Sequence, residues 1–278
     1  MVYPAALLVT WLIAAPVGAA VSAPVGAPAA KAEATAAATA EATAEDSPLA
    51  RRTLKALPAN LLAGTAGVWS RATIWPLAVG AAVTGAAAPF DARVRRAVAS
   101  PGAQFGTVLQ AAGNTLATSA GVLSLYGIGA LAHSERLQAM SYDMVEGTIV
   151  AGVLTTGLKY AVHRERPDGS NHSSFPSGHS SNAFVLATIA EMHYGWKIGV
   201  PSYLGAAAIA YSRMVHDKHY LSDCLAGATL GVIVGRAVVR QNNRPIPGRS
   251  AASTHAMWSV VPVIQNRGGG LIVTIIVP

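Results

Sequence analysis

The sequence predicts an all-α helical bundle that carries a small C-terminal β-hairpin. Apolar residues make up 52% of the 278-residue chain and charged residues only 12%, whereas soluble globular domains carry about 25% charged residues. The stretch from Leu49 to Arg244 shows helical segments and no convincing strand alternation. A chain this apolar buries most of its side chains, either in a tightly packed bundle or in a membrane.

Proline, glycine and charge clusters separate the predicted helices. These lie near residues 49–65, 76–88, 104–132, 140–164, 180–194, 198–213 and 220–240. Only 104–132 and 220–240 approach the roughly 20 residues that a helix needs to cross a bilayer. Both contain polar side chains. We therefore expect either a membrane-embedded core or a compact bundle that associates with a membrane.

The N-terminal residues predict export. Residues 1–23 are apolar or small and uncharged, and Val21-Ser22-Ala23 resembles a signal-peptidase site. No basic residue lies near the start, so an uncleaved N-terminal anchor is the competing interpretation. Residues 24–48 are rich in Ala, Thr and Glu, which predicts a low-complexity linker. The helical domain is then residues 49–244.

The C-terminal tail, residues 245–278, differs from the rest of the chain. It contains the runs "WSVVPVIQ" and "LIVTIIV", separated by Arg267 and three glycines. Two β-prone runs joined by a glycine-rich turn predict a hairpin.

Charge and cysteine content exclude several classes of function. The net charge is +7, but the 20 Lys and Arg residues form no dense basic stripe, so we expect no nucleic-acid partner. Anionic lipid or phosphate is the better match. The single cysteine, Cys224, excludes an intrachain disulfide and a thiolate metal cluster.

Three short motifs carry the chemistry. The first is "KYAVHRERP", with Lys159 and Arg166-Pro167. The second is "PSGH", residues 176–179. The third is "SRMVHDKHYLSD", with Ser212-Arg213, His219 and Asp223. Each motif alone is weak, because a PSGH tetrapeptide recurs by chance and a His–Asp pair is common on helix surfaces.

The residue types in these motifs suit phosphoryl chemistry. His219 and Asp223 are spaced i, i+4, so on a helix they would share one face. A carboxylate that accepts the Nδ1 proton would leave Nε2 as a nucleophile. His179 follows Gly178 and precedes a helix expected from about Ser180, and helix N-termini favour anions.

Together, the three motifs resemble the signature of the type-2 phosphatidic acid phosphatase and vanadium haloperoxidase superfamily, over roughly residues 140–240. The resemblance implies that His219 attacks phosphorus to form a phosphohistidine, supported by Asp223. It implies that His179 protonates the leaving oxygen and then activates water. The residues implied to bind the phosphoryl group are Lys159, Arg166, Ser177, Gly178 and Arg213.

The resemblance implies a phosphatase that acts on a phosphomonoester or pyrophosphate, with a phosphorylated lipid or small phosphate ester as its substrate. Phosphatidic acid, phosphatidylglycerol phosphate and undecaprenyl pyrophosphate all fit. Three cations can balance the phosphoryl charge, so we expect no metal and no cofactor, with vanadate as an inhibitor. We expect an exported protein of the cell envelope, in or on the membrane, whose active site faces the periplasm or exterior.

Alternative interpretations remain open. A vanadate-dependent haloperoxidase would use vanadate as its cofactor in the same anion pocket, and a non-catalytic envelope protein could retain the fold. Lys159 and Arg166 could be the basic flank of a membrane helix, and Ser177 could serve only as a helix cap. His216, together with His219, His179 and Asp223, could form a zinc site.

Overall fold

The computed structural model describes residues 48–99, 115–244, 257–265 and 268–276. The expected signal peptide or anchor at 1–23 lies outside the described residues, as does the expected linker at 24–48 except for its last residue. Export, cleavage and the domain boundaries stay predictions.

The described helical domain contains eight α-helices. They are α1 (Leu57–Val68), α2 (Arg71–Ala87), α3 (Asp91–Val98), α4 (Thr115–Leu131), α5 (Glu135–Val162), α6 (Gly178–Tyr194), α7 (Trp196–Val215) and α8 (Leu221–Asn242). A short 3₁₀ turn, Ala88–Phe90, joins α2 to α3. Every regular element described between residues 48 and 244 is helical, which confirms the predicted fold class.

Two helix starts differ from the prediction because proline was read as a boundary. The helix expected near residue 49 begins at Leu57, with Pro58 in its first turn, where proline is tolerated. The helix expected from residue 76 begins at Arg71 and contains Pro76 in its interior. Ser70 precedes Arg71 in an extended conformation, but its side chain makes no capping hydrogen bond.

Helix α8 lies at the centre of the bundle and packs against α6, α5, α2 and α1. The largest fully buried apolar side chains come from α5, α6, α8 and the end of α1, and include Val150, Val185, Ile189, Val234 and Val238. Burial of this apolar surface is the main term that favours the fold.

Glycines bring the backbones of α6 and α8 into contact. Gly227, Gly231 and Gly235 recur every four residues along α8, and each faces α6. A Cβ added at Gly231 would lie 2.4 Å from the backbone oxygen of Ser181, and one at Gly227 would lie 2.4 Å from that of Ser177. The start of α6 is therefore held directly against the start of α8.

A buried polar network joins the helices at the other end of α8. Arg52 donates from Nε and Nη2 to Asp143, each at 2.8 Å. His193 and Asn242 also contact Asp143, and Asn242 Nδ2 lies 2.8 Å from Glu146 Oε2. The turn before α1 is thus tied to α5, α6 and α8.

Several helices present apolar side chains on the outside of the domain. The exposed large residues include Leu62, Trp75, Val79, Leu131, Val153 and Leu204. Two helical stretches, Arg71–Val98 and Leu221–Asn242, are long and apolar enough to cross a membrane by length and composition. The second matches the predicted 220–240 span, but the first was expected only as a shorter helix. Of the predicted 104–132 span, the structure describes residues 115–132, with a helix from Thr115 to Leu131.

The C-terminal unit contains two strands, Met257–Gln265 and Gly268–Ile276, which pair antiparallel with Met257 opposite Ile276. These strands fall on the two apolar runs of the tail. The hairpin as a stable appendage stays a prediction.

Candidate active site

The three motifs meet at one end of the bundle, around the start of α8. Lys159 lies in the last turn of α5, and His179 lies in the first turn of α6. Arg213 lies in the last turn of α7. Backbone hydrogen bonds connect these segments: the N–H of Ser177 donates to the oxygen of Asp223 at 3.0 Å.

His219 lies in the loop before α8, not on a helix with Asp223 as its spacing suggested. Its Nδ1 lies 2.7 Å from the backbone oxygen of Ser174 and 3.9 Å from Oδ2 of Asp223. Because a carbonyl can only accept, Nδ1 carries the proton and Nε2 keeps its lone pair. The expected tautomer is present, but a backbone carbonyl makes the short hydrogen bond.

The environment of His219 favours the neutral imidazole. Burial lowers its pKa below the ordinary value, and the charges of Lys159 and Arg166 act in the same direction. Asp223 opposes this shift but does not outweigh it. The ring is therefore held in the form that can act as a nucleophile.

Asp223 directs both of its oxygens towards donors other than His219. Oδ2 accepts from the Ser174 hydroxyl at 2.5 Å and from the Tyr220 N–H at 2.9 Å. Oδ1 accepts from Nη1 of Arg164 at 2.7 Å. Asp223 is fully buried, so these charge-assisted bonds compensate a carboxylate that water does not reach.

Two arginines of the site have buried N–H groups without a partner. Among the described residues, Nε of Arg166 and both Nε and Nη1 of Arg213 have no hydrogen-bond partner. Buried guanidinium donors are rarely left unsatisfied in native proteins. Because these groups lie beside the two signature histidines, they are suited to an anion.

The remaining cation and the second histidine complete the pocket. Lys159 Nζ donates to the backbone oxygen of Ser173. Four residues lie close enough to His179 to act electrostatically on its ring: Arg213, His219, Arg166 and Lys159. The structure therefore brings all three basic signature residues and both histidines together.

Ser177 is the N-cap of α6, which begins at Gly178, two residues before the expected start. Its hydroxyl accepts from the N–H of Ser180 at 3.4 Å and from the Ser180 hydroxyl at 3.0 Å. The capping role of Ser177 is thus present in the structure. An additional contact from Ser177 or Gly178 to phosphate stays a prediction.

A groove of about 490 Å³ opens next to His179. Helices α4, α5, α6 and α7 form its walls, and the residues that line it include Val122, Leu125, Met144, Asn182, Leu186 and Ile209. Most of these side chains are apolar. A ligand whose charged end lies in the cation pocket could place an apolar body here.

Sequence reasoning missed four residues of this site. They occupy no signature position, yet each is linked to Asp223 or to its immediate partners: Arg164, Asp91, Ser174 and Ser222. Arg164 and Ser222 lie within the first and third motifs, but only Arg164 carried a signal, as an additional basic residue. Asp91 lies 132 residues before Asp223 in the sequence, and only the fold shows that they are close.

Asp168 and Asp217, which had no assigned role, order the loops around the site. Asp168 accepts from Lys218. Asp217 accepts from Nε and Nη2 of Arg95 at 2.7 and 2.6 Å. The left-handed conformation of Asp217, at φ = 57°, lies in the tight turn that leads to His219.

Within the described ranges, no three His, Cys, Asp or Glu side chains are grouped so that they could hold a metal ion. The described residues therefore do not provide a set of ligands for the zinc site considered above. Whether the reaction needs a metal stays a prediction.

A comparison with known protein families matches part of this site. The family model of the PAP2 superfamily matches residues 168–247, which include the second and third motifs. The chain therefore contains a PAP2 superfamily region, and this confirms the resemblance to the type-2 phosphatidic acid phosphatases.

The chain is also partly similar to individual proteins. The chain is 35% identical over 116 residues to the lipid A 1-phosphatase of Porphyromonas gingivalis, which is 41% of this chain but only about a quarter (26%) of that protein. The crystal structure of Aquifex aeolicus LpxE matches 54% of this chain and 95% of its own, at 21% identity and a TM-score of 0.46. A transmembrane PAP2-type phosphatidylglycerolphosphate phosphatase from Bacillus subtilis matches 63% and 96%, at 24% identity and a TM-score of 0.49.

Proposed function

We propose that the protein is a phosphatase that removes phosphate from a lipid phosphomonoester or pyrophosphate through a phosphohistidine at His219. The observation that carries this proposal concerns the guanidinium groups of Arg166 and Arg213. Their buried N–H groups have no hydrogen-bond partner among the described residues. They lie beside a neutral histidine whose Nε2 is free to attack. The relative from Porphyromonas gingivalis, named as a lipid A 1-phosphatase, supports the same reaction class.

In the first half of the reaction, Arg166, Arg213 and Lys159 bind the non-bridging oxygens of the phosphoryl group. Nε2 of His219 forms a bond to phosphorus while the bond from phosphorus to the leaving oxygen breaks. Burial and the neighbouring cations lower the pKa of His179 to about 4. The bound phosphoryl anion offsets those cations, so His179 is protonated in the complex. It gives this proton to the leaving oxygen.

In the second half, a water molecule takes the place of the leaving alcohol. His179, now neutral, accepts a proton from the water as its oxygen attacks phosphorus. The bond between phosphorus and Nε2 of His219 breaks, and inorganic phosphate leaves. Throughout, the Ser174 carbonyl holds Nδ1–H, so the ring keeps its orientation in both steps.

The groove beside His179 supports a lipid leaving group. Because His179 protonates the leaving oxygen, the body of the alcohol extends from that point. The adjacent wall is built largely from apolar side chains such as Leu186 and Ile209. A long-chain alcohol gains binding energy there that a small sugar phosphate does not.

The outer surface of the domain supports membrane insertion. The window within Arg71–Val98 that is apolar enough to cross a bilayer is only 11% buried, so this helical stretch presents its apolar side chains outwards. Trp75 and Leu131 are 78% and 85% exposed. Exposed apolar area on this scale is typical of contact with lipid or a partner. We propose that the domain lies in the cell envelope with its site on the outer side.

A release assay tests this function. Purified protein in detergent is given phosphatidic acid, phosphatidylglycerol phosphate, undecaprenyl pyrophosphate and a water-soluble phosphate ester, and inorganic phosphate is measured. We expect turnover of at least one lipid, faster than of the soluble ester. The absence of phosphate release from all four compounds would refute the proposal.

A further inference from the structure

Arg164 links two buried carboxylates that come from distant parts of the chain. Its Nη1 donates to Oδ1 of Asp223 at 2.7 Å, and its Nη2 donates to Oδ2 of Asp91 at 2.8 Å. Its guanidinium also lies over the ring of Tyr220, 4.2 Å from the ring centre. These contacts fix the guanidinium plane between α3 and the start of α8.

Both carboxylate oxygens of Asp91 accept hydrogen bonds at this end of α8. Oδ1 accepts from the N–H of Ser222 at 2.9 Å, and Oδ2 accepts from the Ser222 hydroxyl at 2.5 Å as well as from Arg164. Asp91 is only 4% exposed. Burial of a carboxylate costs free energy, and the hydrogen bonds from these three donors offset that cost. The same bonds hold the donors in place.

A continuous chain of hydrogen bonds leads from Asp91 to the nucleophile. It runs from Asp91 to Arg164, from Arg164 to Asp223, from Asp223 to the Ser174 hydroxyl, and from the Ser174 carbonyl to Nδ1 of His219. Ser174 also donates its N–H to the Arg164 carbonyl at 2.9 Å. Each member is held on at least two sides.

We propose that Asp91 and Arg164 are positioning residues, which fix Asp223 and, through Ser174, set the orientation and protonation of His219. This inference rests on the proposed phosphohistidine function, because it assigns a role to residues that act on that nucleophile. Neither residue is one of the signature residues, although Arg164 lies within the first motif.

The charge on Arg164 explains how the pair acts on protonation. The charged or titratable groups that act on His219 are Lys159, Arg166, Asp223 and His179, from α5, the following loop, α8 and α6. Arg164 offsets the negative charge of Asp223 and holds the carboxylate 3.9 Å from Nδ1. Without Arg164, that carboxylate is free to approach the ring and favour the imidazolium.

The test compares Arg164→Ala, Arg164→Lys and Asp91→Asn with the matched control Arg136→Ala. Arg136 also lies over a tyrosine ring, 4.7 Å from the centre of Tyr194, and donates to the His193 carbonyl. It lies at the end of the bundle that holds Asp143, away from the site. For Arg164→Ala we expect kcat to fall about 30-fold with KM changed less than about threefold, because the substrate contacts remain. The fall in kcat should be smaller for Asp91→Asn, and no larger for the double variant than for Arg164→Ala, since both act in one network. The kcat of Arg136→Ala should stay within about threefold of the wild type.

The pH profile separates positioning from simple loss of folded protein. We expect the acid limb of kcat/KM to move to higher pH in Arg164→Ala and to return towards the wild type in Arg164→Lys. An unmoved acid limb in Arg164→Ala, or an equal loss of kcat in Arg136→Ala, overturns the inference.

A readout without turnover keeps this inference distinct from the proposed function. The imidazole signal of His219, assigned by its loss in His219→Gln, is titrated by NMR in detergent. A higher pKa in Arg164→Ala than in the wild type supports the positioning role even if no phosphate ester is hydrolysed. If the pKa of His219 is unchanged in Arg164→Ala, the positioning role is overturned even if the enzyme is active.

Discussion

The carbonyl of Ser174 accepts a 2.7 Å hydrogen bond from Nδ1 of His219. The backbone therefore fixes the tautomer of the nucleophile, and the aspartate four residues later in the sequence does not make that short bond. This relationship changes what substitution of Asp223 should do.

Substitution of the nucleophile and of Asp223 should have very different effects. His219→Ala should lower kcat by about 10⁴-fold or more, because no other group replaces Nε2. Asp223→Asn should lower kcat only about 10²-fold, because the Ser174 carbonyl keeps the proton on Nδ1. The corresponding Asp→Asn variant of a serine protease triad loses that tautomer. Steady-state rates and acid-quenched trapping of labelled phosphoenzyme measure both effects. Substantial turnover in His219→Ala would contradict the mechanism.

The cation pocket predicts metal independence and inhibition by vanadate. Arg166, Arg213 and Lys159 supply the positive charge that a divalent ion supplies in other phosphatases. We expect full activity in EDTA and competitive inhibition by vanadate, which imitates the five-coordinate transition state.

Arg213→Lys gives the specific control for this pocket. It keeps the charge but loses the two guanidinium N–H groups that have no partner among the described residues. We expect vanadate inhibition to weaken by about 10-fold or more in this variant. Activity that is lost on chelation and restored by zinc or magnesium would instead support a metal site near His216.

The pKa of His219 determines how activity and stability change in acid. Because burial, Lys159 and Arg166 lower this pKa below 6.5, Nε2 stays unprotonated at mildly acidic pH. We expect the acid limb of kcat/KM to lie below pH 6.5. Lys159→Gln removes one of these positive charges and should move the limb to higher pH.

The same shift makes a prediction about folding. The unfolded chain protonates this histidine near pH 6.5, whereas the folded chain does so only at lower pH. The unfolded state therefore binds more protons in that window, and the stability of the wild type should fall as the pH drops below 6.5. His219→Gln should show a smaller loss of melting temperature over the same window, and an equal loss would contradict the shift.

The contact between α6 and α8 makes a prediction about packing. Gly227→Ala would place a Cβ 2.4 Å from the backbone oxygen of Ser177, so the helices must separate and the Ser177–His179 turn must move. We expect the free energy of unfolding to fall by about 1–3 kcal/mol, with a loss of activity at saturating substrate.

Gly205→Ala in α7 is the matched control for that packing. A Cβ there meets nothing within 4 Å, so the variant should be neutral or up to about 1 kcal/mol more stable because alanine favours the helix. Thermal melting in detergent and the phosphate-release assay measure both variants. A Gly227→Ala variant with the melting temperature and rate of Gly205→Ala would show that the close approach is not required.

The sequence was sufficient for the fold class and for the residues that meet in the pocket, because both depend on local patterns. Helical periodicity and charge poverty indicated the bundle, and three motifs indicated Lys159, Arg166, His179, Arg213 and His219. Each residue was recognisable by its type and its spacing from a neighbour in the chain.

The partners that come from other segments could not be predicted. Asp91 is an ordinary acidic residue near a helix start, and its contact with Ser222 depends on how α3 packs against α8. The i, i+4 spacing of His219 and Asp223 suggested one helix, but the helix begins only at Leu221. The carbonyl of Ser174 gives no signal in the sequence, since every residue has one.

The last prediction concerns the orientation of the domain in the membrane. Helix α8 has 22 residues and is therefore about 33 Å long, enough to cross the hydrocarbon core. Its first turn holds Asp223 at the active site, while Arg236 and Arg240 are exposed near its other end. Basic residues beside a membrane span favour the cytoplasmic side, so the site should face outwards. A substrate in the outer leaflet would then reach the pocket without crossing the bilayer.

Protease protection of a C-terminal tag, combined with carbonate extraction, measures this orientation. If α8 spans the membrane with its basic end inside, the protein should resist carbonate, and the tag should be protected in intact spheroplasts and digested after lysis. As a control, a tag inserted between Asp168 and Asn171, in the exposed loop next to the site, should be digested in both samples. Release by carbonate, with the C-terminal tag digested in intact spheroplasts, would instead show an exported bundle that only rests on the membrane. The exposed apolar side chains of α2 would then have to be covered by something other than lipid.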